Sequence, residues 1–149
     1  SQDKYYGPLI PNGQGNLIIS LEPLETLRML SMFGNERIVT LSNTKNVLPV
    51  GVLAGRSKYP GLAKLQEAIA DLSDKASFVP STEIAVELGA PIVSNIVLLG
   101  ALLAMGLLPI SQEEVKEDMR STFPASKLEL NYTALQRGLE ACTAQLAAT

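Results

Sequence analysis

The run from Pro91 to Pro109, PIVSNIVLLGALLAMGLLP, constrains this chain more than any other segment. A membrane-spanning helix wants ~20 apolar residues. This run is bounded by prolines and interrupted by Asn95 and Gly106, and its alanines and glycines suit close packing against other helices. A short helix that is apolar on every side reads first as buried core. The expectation is a central helix wrapped by other elements, with no membrane partner. The chain has 149 residues, enough for one domain and too few for two of ordinary size. A chain of this length buries roughly 68–70% of its unfolded surface, so its core needs no staples.

The elements around that helix follow from local pattern. Leu17–Leu21 is a short apolar run of the kind that forms a strand buried on both faces. Glu22-Pro23 opens a helix with Pro23 at its first position and Leu24, Leu27 and Leu30 along one side, and Gly34 stops it. Arg37–Leu41 is the next strand. It leads into Ser42-Asn43-Thr44-Lys45-Asn46, read as a loop of turn formers. Val47–Gly55, broken by Pro49, Gly51 and Gly55, is an irregular connection with room for an edge strand.

After Tyr59-Pro60, Leu62, Leu65, Ile69 and Leu72 keep a helical period. Ser77–Pro80 is a brief strand, and Ser81 or Thr82 is expected to cap a short helix that stops at Gly89. Beyond the apolar run, Ser111-Gln-Glu-Glu114 is a capping box for a helix from Gln112 to Phe123. A last helix runs from Lys127 to Ala147, with Ala141–Thr149 expected to fray. Strands alternating with helices give an α/β class: a small, mostly parallel, Rossmann-like sheet with flanking helices and a helical C-terminal tail. Three short strands make a poor sheet, and the chain begins as though inside one. Residues 1–149 are therefore expected to be one domain that is incomplete at its N-terminus.

The side-chain inventory excludes much chemistry. The chain has no histidine, so it offers no imidazole base, shuttle or metal ligand. Its one cysteine, Cys142, cannot by itself build a zinc site or hold an iron–sulfur cluster, and is read as inert. No internal disulfide is available, in keeping with a reducing, cytoplasmic setting, and no apolar signal segment follows Ser1–Tyr6. Twelve Lys and Arg against fifteen Asp and Glu give a net charge of −3, without a basic footprint for nucleic acid. No catalytic, cofactor-binding or metal residue is assigned.

Four residues remain as candidates to face a partner or a ligand. Glu22 stands at the C-terminal end of the first strand, where open α/β sheets place ligands, although capping of the following helix also accounts for it. Asn43 and Thr44 follow the second strand at the same sheet edge, and turn chemistry is their alternative. Asn95 is the strong polar group of the apolar helix. Buried, it must be hydrogen-bonded, tying down a loop or lying in an interface. Gly13-Gln-Gly15 precedes a strand and lacks the third glycine of a dinucleotide loop (residue 18 is Ile), so it reads as a plain turn. The sequon Asn131-Tyr132-Thr133 carries no weight without a secretory signal.

Taken in order, Gly7-Pro-Leu-Ile-Pro11, Leu21-Glu-Pro-Leu-Glu-Thr-Leu-Arg28, Ser42-Asn-Thr44, Thr82–Pro91, Asn95–Pro109, Phe123-Pro124 and Leu128-Glu-Leu-Asn131 resemble the gamma-type subunit of 2-oxoacid:ferredoxin oxidoreductases. The Glu-Pro-Leu-Glu junction and Tyr59-Pro60 tilt the likeness toward the beta subunit of the indolepyruvate enzymes. The resemblance spans nearly the whole chain and implies a fold like domain III of pyruvate:ferredoxin oxidoreductase. It also implies a heteromeric enzyme that decarboxylates a 2-oxoacid on thiamine diphosphate, passes electrons through iron–sulfur clusters to ferredoxin, and releases an acyl-CoA. Thiamine and clusters would sit on larger partner subunits and CoA would be co-substrate. This chain would be a non-catalytic partner that helps close the CoA or substrate cavity. The family opens with a strand, a Gly-Gly-Gln-Gly type turn, a helix and an Arg-Gly-Gly segment, which this sequence lacks. The other class left open is a stand-alone α/β module for a small anionic ligand.

Overall fold

The computed structural model describes residues 9–45 and 61–147. The readings of Ser1–Tyr6, Asn46, Val47–Gly55 and Tyr59-Pro60 lie outside the described residues. Three strands pair side by side in sequence order: β1 (Leu17–Ser20), β2 (Val39–Asn43) and β3 (Lys75–Val79). Both pairings are parallel, with Ile19, Leu41 and Ser77 in one row and Ser20, Ser42 and Phe78 in the next. Six helices surround them among the described residues: α1 (Pro23–Phe33), α2 (Leu62–Asp71), α3 (Ser81–Glu87), α4 (Ser94–Ala104), α5 (Gln112–Thr122) and α6 (Ala125–Ala147).

Alternation along the strands separates two cores. On one face Ile18, Ile38 and Ile69 pack with Leu30, under α1 and α2. On the other, Leu41 and Val79 pack with Val97, Leu98, Ala101, Leu102, Ala134, Leu135 and Cys142, under α4 and α6. Helices on both faces are what a parallel sheet requires. The apolar run is indeed a core helix, but it is shorter than the sequence suggests. A single 3₁₀ turn covers Pro91–Val93, and α4 ends at Ala104. Gly106 turns the chain with φ 64°, a left-handed conformation that a side chain resists, well before Pro109. No helix among the described residues is long and apolar enough to cross a membrane.

α4 and α6 cross at two glycines. A Cβ on Gly100 would overlap the Leu135 carbonyl, and one on Gly138 would overlap the Val97 carbonyl, so the two backbones touch where small residues let them. The C-terminal helix is thus part of the core rather than a tail. Residues 141–147 do not fray: Cys142 is fully buried, and the Gln145 side chain accepts the Phe78 amide at 3.1 Å. Leu128 and Leu139 are only partly buried and Leu146 is exposed, while Asn131, Ala134, Leu135, Gly138 and Cys142 face inward. The inner stripe was obscured because its small and polar members carry no hydrophobic signal.

Three other expectations need correction. The second strand lies two residues later than Arg37–Leu41, because Ser42 and Asn43 find buried partners and stay in the ladder. Ser81 and Thr82 lie inside α3 and do not cap it: Pro80 is the flanking residue, and the Thr82 amide is met instead by the side chain of Asn43. The helix after Tyr59-Pro60 buries Leu65 and Ile69 but leaves Leu72 exposed beyond its end. The capping box is present as read, with the Ser111 hydroxyl accepting the Glu114 amide at 3.2 Å and the Glu114 carboxylate accepting the Ser111 amide at 2.8 Å.

Candidate functional site

The C-terminal ends of the strands converge on Asn43. It is the last residue of β2 and 1% exposed. Its carboxamide nitrogen donates to the Leu21 carbonyl at 3.0 Å and to the Thr82 hydroxyl at 2.8 Å, while its oxygen accepts the Thr82 amide at 3.3 Å. One side chain therefore joins the exit of β1, the end of β2 and the first turn of α3. Every hydrogen-bonding group of a buried amide needs such a partner, and here none of its three bonds can shift without orphaning another group.

On the opposite face the Thr26 hydroxyl lies 3.0 Å from Ser42 Oγ and 3.1 Å from the Glu22 carbonyl, and the Ser42 hydroxyl donates to the Asn43 carbonyl at 3.0 Å. At the end of β1, the Ser20 hydroxyl donates to the Glu22 carbonyl at 2.7 Å and accepts the Glu22 amide at 3.1 Å. These bonds fix the strand-to-helix junction from both sides of the sheet. The Ser81 hydroxyl is the one buried side-chain polar atom without a partner among the described residues.

Two adjoining hollows lie over this end of the sheet. A cleft of about 230 Å³ is lined by Leu21, Glu22, Asn43, Lys45, Thr82 and Ser94. A groove of about 310 Å³, mostly apolar, runs beside it between β1 (Ile19, Ser20, Leu21) and α4 (Asn95, Leu98, Leu99, Leu102). Glu22 and Asn43 thus share one cleft, Asn95 stands in the neighbouring groove, and Leu21 belongs to both. Thr44 lines neither. It is half-buried and its amide donates to the Val79 carbonyl at 3.2 Å, prolonging the ladder.

Glu22 occupies the flanking position of α1 and its side chain makes no capping bond, so it complements that helix end through its charge alone. Glu25 instead pairs with Arg28 one turn on. Asn95 is exposed, not buried. Its side-chain oxygen accepts the Ile96 amide at 2.9 Å, so it ties down no distant loop, and its polarity is explained by the rim of a groove. Lys45, Thr82 and Ser94 were missed as lining residues. The rule that strand ends carry sites points to Thr82 once β3 is placed, since it stands three residues past Val79.

Cys142 lies in the core beneath β3. Burial pushes its thiol pKa up, and a bond with Ser77 only partly offsets this, so the reactive thiolate is disfavoured. Among the described residues no group of three or more His, Cys, Asp or Glu could hold a metal ion. With a single cysteine and no histidine, the donor set does not fit an iron–sulfur cluster. The Gly13–Gly15 turn is structural: Gly13 and Gly15 donate to the Met32 and Phe33 carbonyls at 3.0 and 2.9 Å, locking the turn to the end of α1.

The family model described as pyruvate ferredoxin/flavodoxin oxidoreductase matches residues 1–141. The chain belongs to this family. Among characterised relatives, the chain is similar to the indolepyruvate oxidoreductase subunit IorB of Archaeoglobus fulgidus, with 34% identity over 131 residues, 88% of this chain and 65% of that protein. The IorB subunits of Thermococcus kodakarensis and Pyrococcus horikoshii match at 30% and 31% identity, over 95% and 97% of this chain and 70% and 71% of theirs. The chain thus spans about two thirds of the length of these relatives. Two solved structures share the fold. The gamma subunit of a keto/oxoacid ferredoxin oxidoreductase from Geobacter sulfurreducens superimposes with a TM-score of 0.60 at 23% identity, covering 94% of this chain and 78% of that one. The pyruvate oxidoreductase subunit PORC from Thermotoga maritima gives 0.57 at 20% identity, covering 84% and 62%. Both share with this chain the fold described above, a parallel sheet with flanking helices.

Proposed function

We propose that this chain works as one domain of the small, non-catalytic subunit of a 2-oxoacid:ferredoxin oxidoreductase. The complex would decarboxylate pyruvate, indolepyruvate or a similar 2-oxoacid to an acyl-CoA and pass the electrons to ferredoxin in the cytoplasm. Thiamine diphosphate and the iron–sulfur clusters would be held by larger partner subunits, with CoA as co-substrate. The observation that carries this reading is the family match over residues 1–141, together with relatives that are themselves named as subunits. The side chains agree with such a division of labour: a chain without histidine, with a buried and inert thiol, supplies no proton shuttle or cluster ligand.

Glu22, Asn43, Thr44 and Asn95 are assigned to the surface that meets a partner or the partner's ligand. Ile19 and Leu21 are 44% and 50% exposed beside the groove that Asn95 rims, and a contiguous apolar surface of this kind marks a contact site. The larger subunit is the partner assigned to the groove. The cleft at Glu22 and Asn43, polar and adjacent, would complete a cavity at that contact. A stand-alone module for a small anionic ligand gains no support from relatives named as subunits.

Anaerobic affinity capture of the full-length protein from its own cells tests the reading. The expected eluate is brown, contains a larger chain, and reduces a dye only when a 2-oxoacid and CoA are present. A colourless single species, or activity from the purified chain alone, would overturn it.

A further inference from the structure

We infer that the C-terminal helix seals the β3 edge of the sheet through Gln145, so that further strands can join this sheet only at β1. In a parallel sheet, successive residues turn their backbone groups to opposite sides. Val79 turns toward β2, where its carbonyl receives the Thr44 amide at 3.2 Å. Phe78, one residue earlier, must turn its N–H away from β2. That outward N–H is what a strand added beside β3 would need, and the Gln145 side-chain oxygen already accepts it at 3.1 Å.

A glutamine carboxamide presents the same carbonyl acceptor as a neighbouring strand, without a charge, and it is carried on a helix that cannot itself extend the ladder. The helix is held there by two independent contacts. Cys142, one turn before Gln145, is fully buried in the same core cluster as Val79, the residue after Phe78. Gly138, another turn back, sits against the α4 backbone at Val97. Gln145 is 67 residues from Phe78 along the chain, so tertiary packing alone brings them together.

The β1 edge differs in each respect. Among the described strands β1 pairs with β2 alone, and Ile19 and Leu21 on it and just past its end remain exposed. Unpaired edges recruit other strands, and proteins blunt the ones they do not use. Here the blunted edge is β3. The inference concerns contacts within this chain and does not depend on the enzyme proposed above.

Amide hydrogen exchange by NMR on the full chain, with Gln145→Leu and Gln145→Glu, tests it. Loss of one backbone hydrogen bond at a half-exposed position is expected to speed Phe78 exchange about tenfold in Gln145→Leu. Ser77 and Val79, which face β2, should stay as slow as in the wild type. Gln145→Glu keeps the acceptor and should keep Phe78 slow. Sedimentation should then show a concentration-dependent association of Gln145→Leu beyond that of the wild type and of Gln145→Glu. Unchanged Phe78 exchange in Gln145→Leu overturns the inference. So does acceleration of Ser77 and Val79 alongside Phe78, which would make Gln145 a general stabiliser, and so does the absence of added association.

Discussion

The helix crossing at Gly100 and Gly138 and the strand ends at Asn43 hold the same sheet by opposite means. At the crossing, two backbones touch because side chains are missing, and the surroundings are apolar: Val97, Ala101, Ala134 and Leu135. At the strand ends, one buried amide makes three directional bonds and its neighbours are hydroxyls. The crossing is tolerant of direction and intolerant of volume. The strand ends are the reverse: there is open space above them, in the cleft, but each bond has a single acceptor or donor to meet. The difference explains why the candidate site sits at the strand ends. A cleft that must receive something can be framed by hydrogen bonds at its rim, whereas a close-packed crossing has no room to receive anything.

Substituting at each place sharpens the contrast. Gly138→Val should be the most damaging change, because the added carbons meet the Val97 carbonyl, a backbone atom that cannot swing aside. We expect a loss of about 3 kcal/mol or more, read as a shift of the urea midpoint or as failure to fold. A wild-type midpoint would break the claim of backbone contact. Asn43→Ala comes next, with an expected loss of about 1–3 kcal/mol, since it removes part-buried hydrogen bonds to the Leu21 carbonyl and the Thr82 amide. It should also weaken capture of the larger subunit, whereas Lys45→Ala, on the exposed side of the same cleft, should leave folding unchanged and affect only capture.

Smaller effects lie away from both regions. Ser111→Ala should cost about 1 kcal/mol through loss of the α5 cap. The backbone and then the side chain of Ser111 hold the Glu114 carboxyl below the usual carboxylate range. A carboxyl lowered in the folded state stabilises at pH values above its unfolded pKa, and that contribution is lost as pH falls through the lowered value. In Ser111→Ala the Glu114 titration, followed by carboxyl chemical shift, should move up toward the ordinary range. The smallest signal is Cys142: because burial raises its pKa, native protein at pH 7–8 should resist alkylation that proceeds readily in urea. Fast labelling of the native chain would mean that the last turns of α6 leave the core.

What local chemistry dictates was legible in the chain itself. The capping box at Ser111, the proline at the start of α1 and the apolar period of α2 each act within a few residues, and a helix forms at each, α2 stopping just short of Leu72. The core role of the apolar run was equally plain, because a helix with no polar side has nowhere else to go. The ordered set of segments that resembles the oxidoreductase subunits was also present in the sequence, and the family match over residues 1–141 agrees with it.

Contacts between distant residues decided the rest. Asn43 and Ser42 have the composition of a turn, and they became strand because Thr82, Leu21 and Thr26 supply their partners from 16 to 39 residues away. Asn95 was expected inside because its helix is apolar, yet it stands at the rim, since within the first turn of α4 Ile96 and Val97 take the buried positions and Asn95 falls on the outward side. The end of α6 was expected to fray on composition alone, and it is held by Gln145 and by two glycines whose use depends on what lies opposite. A sequence states which groups need a partner. Only the packed chain, by placing one surface against another, determines which partner each group finds.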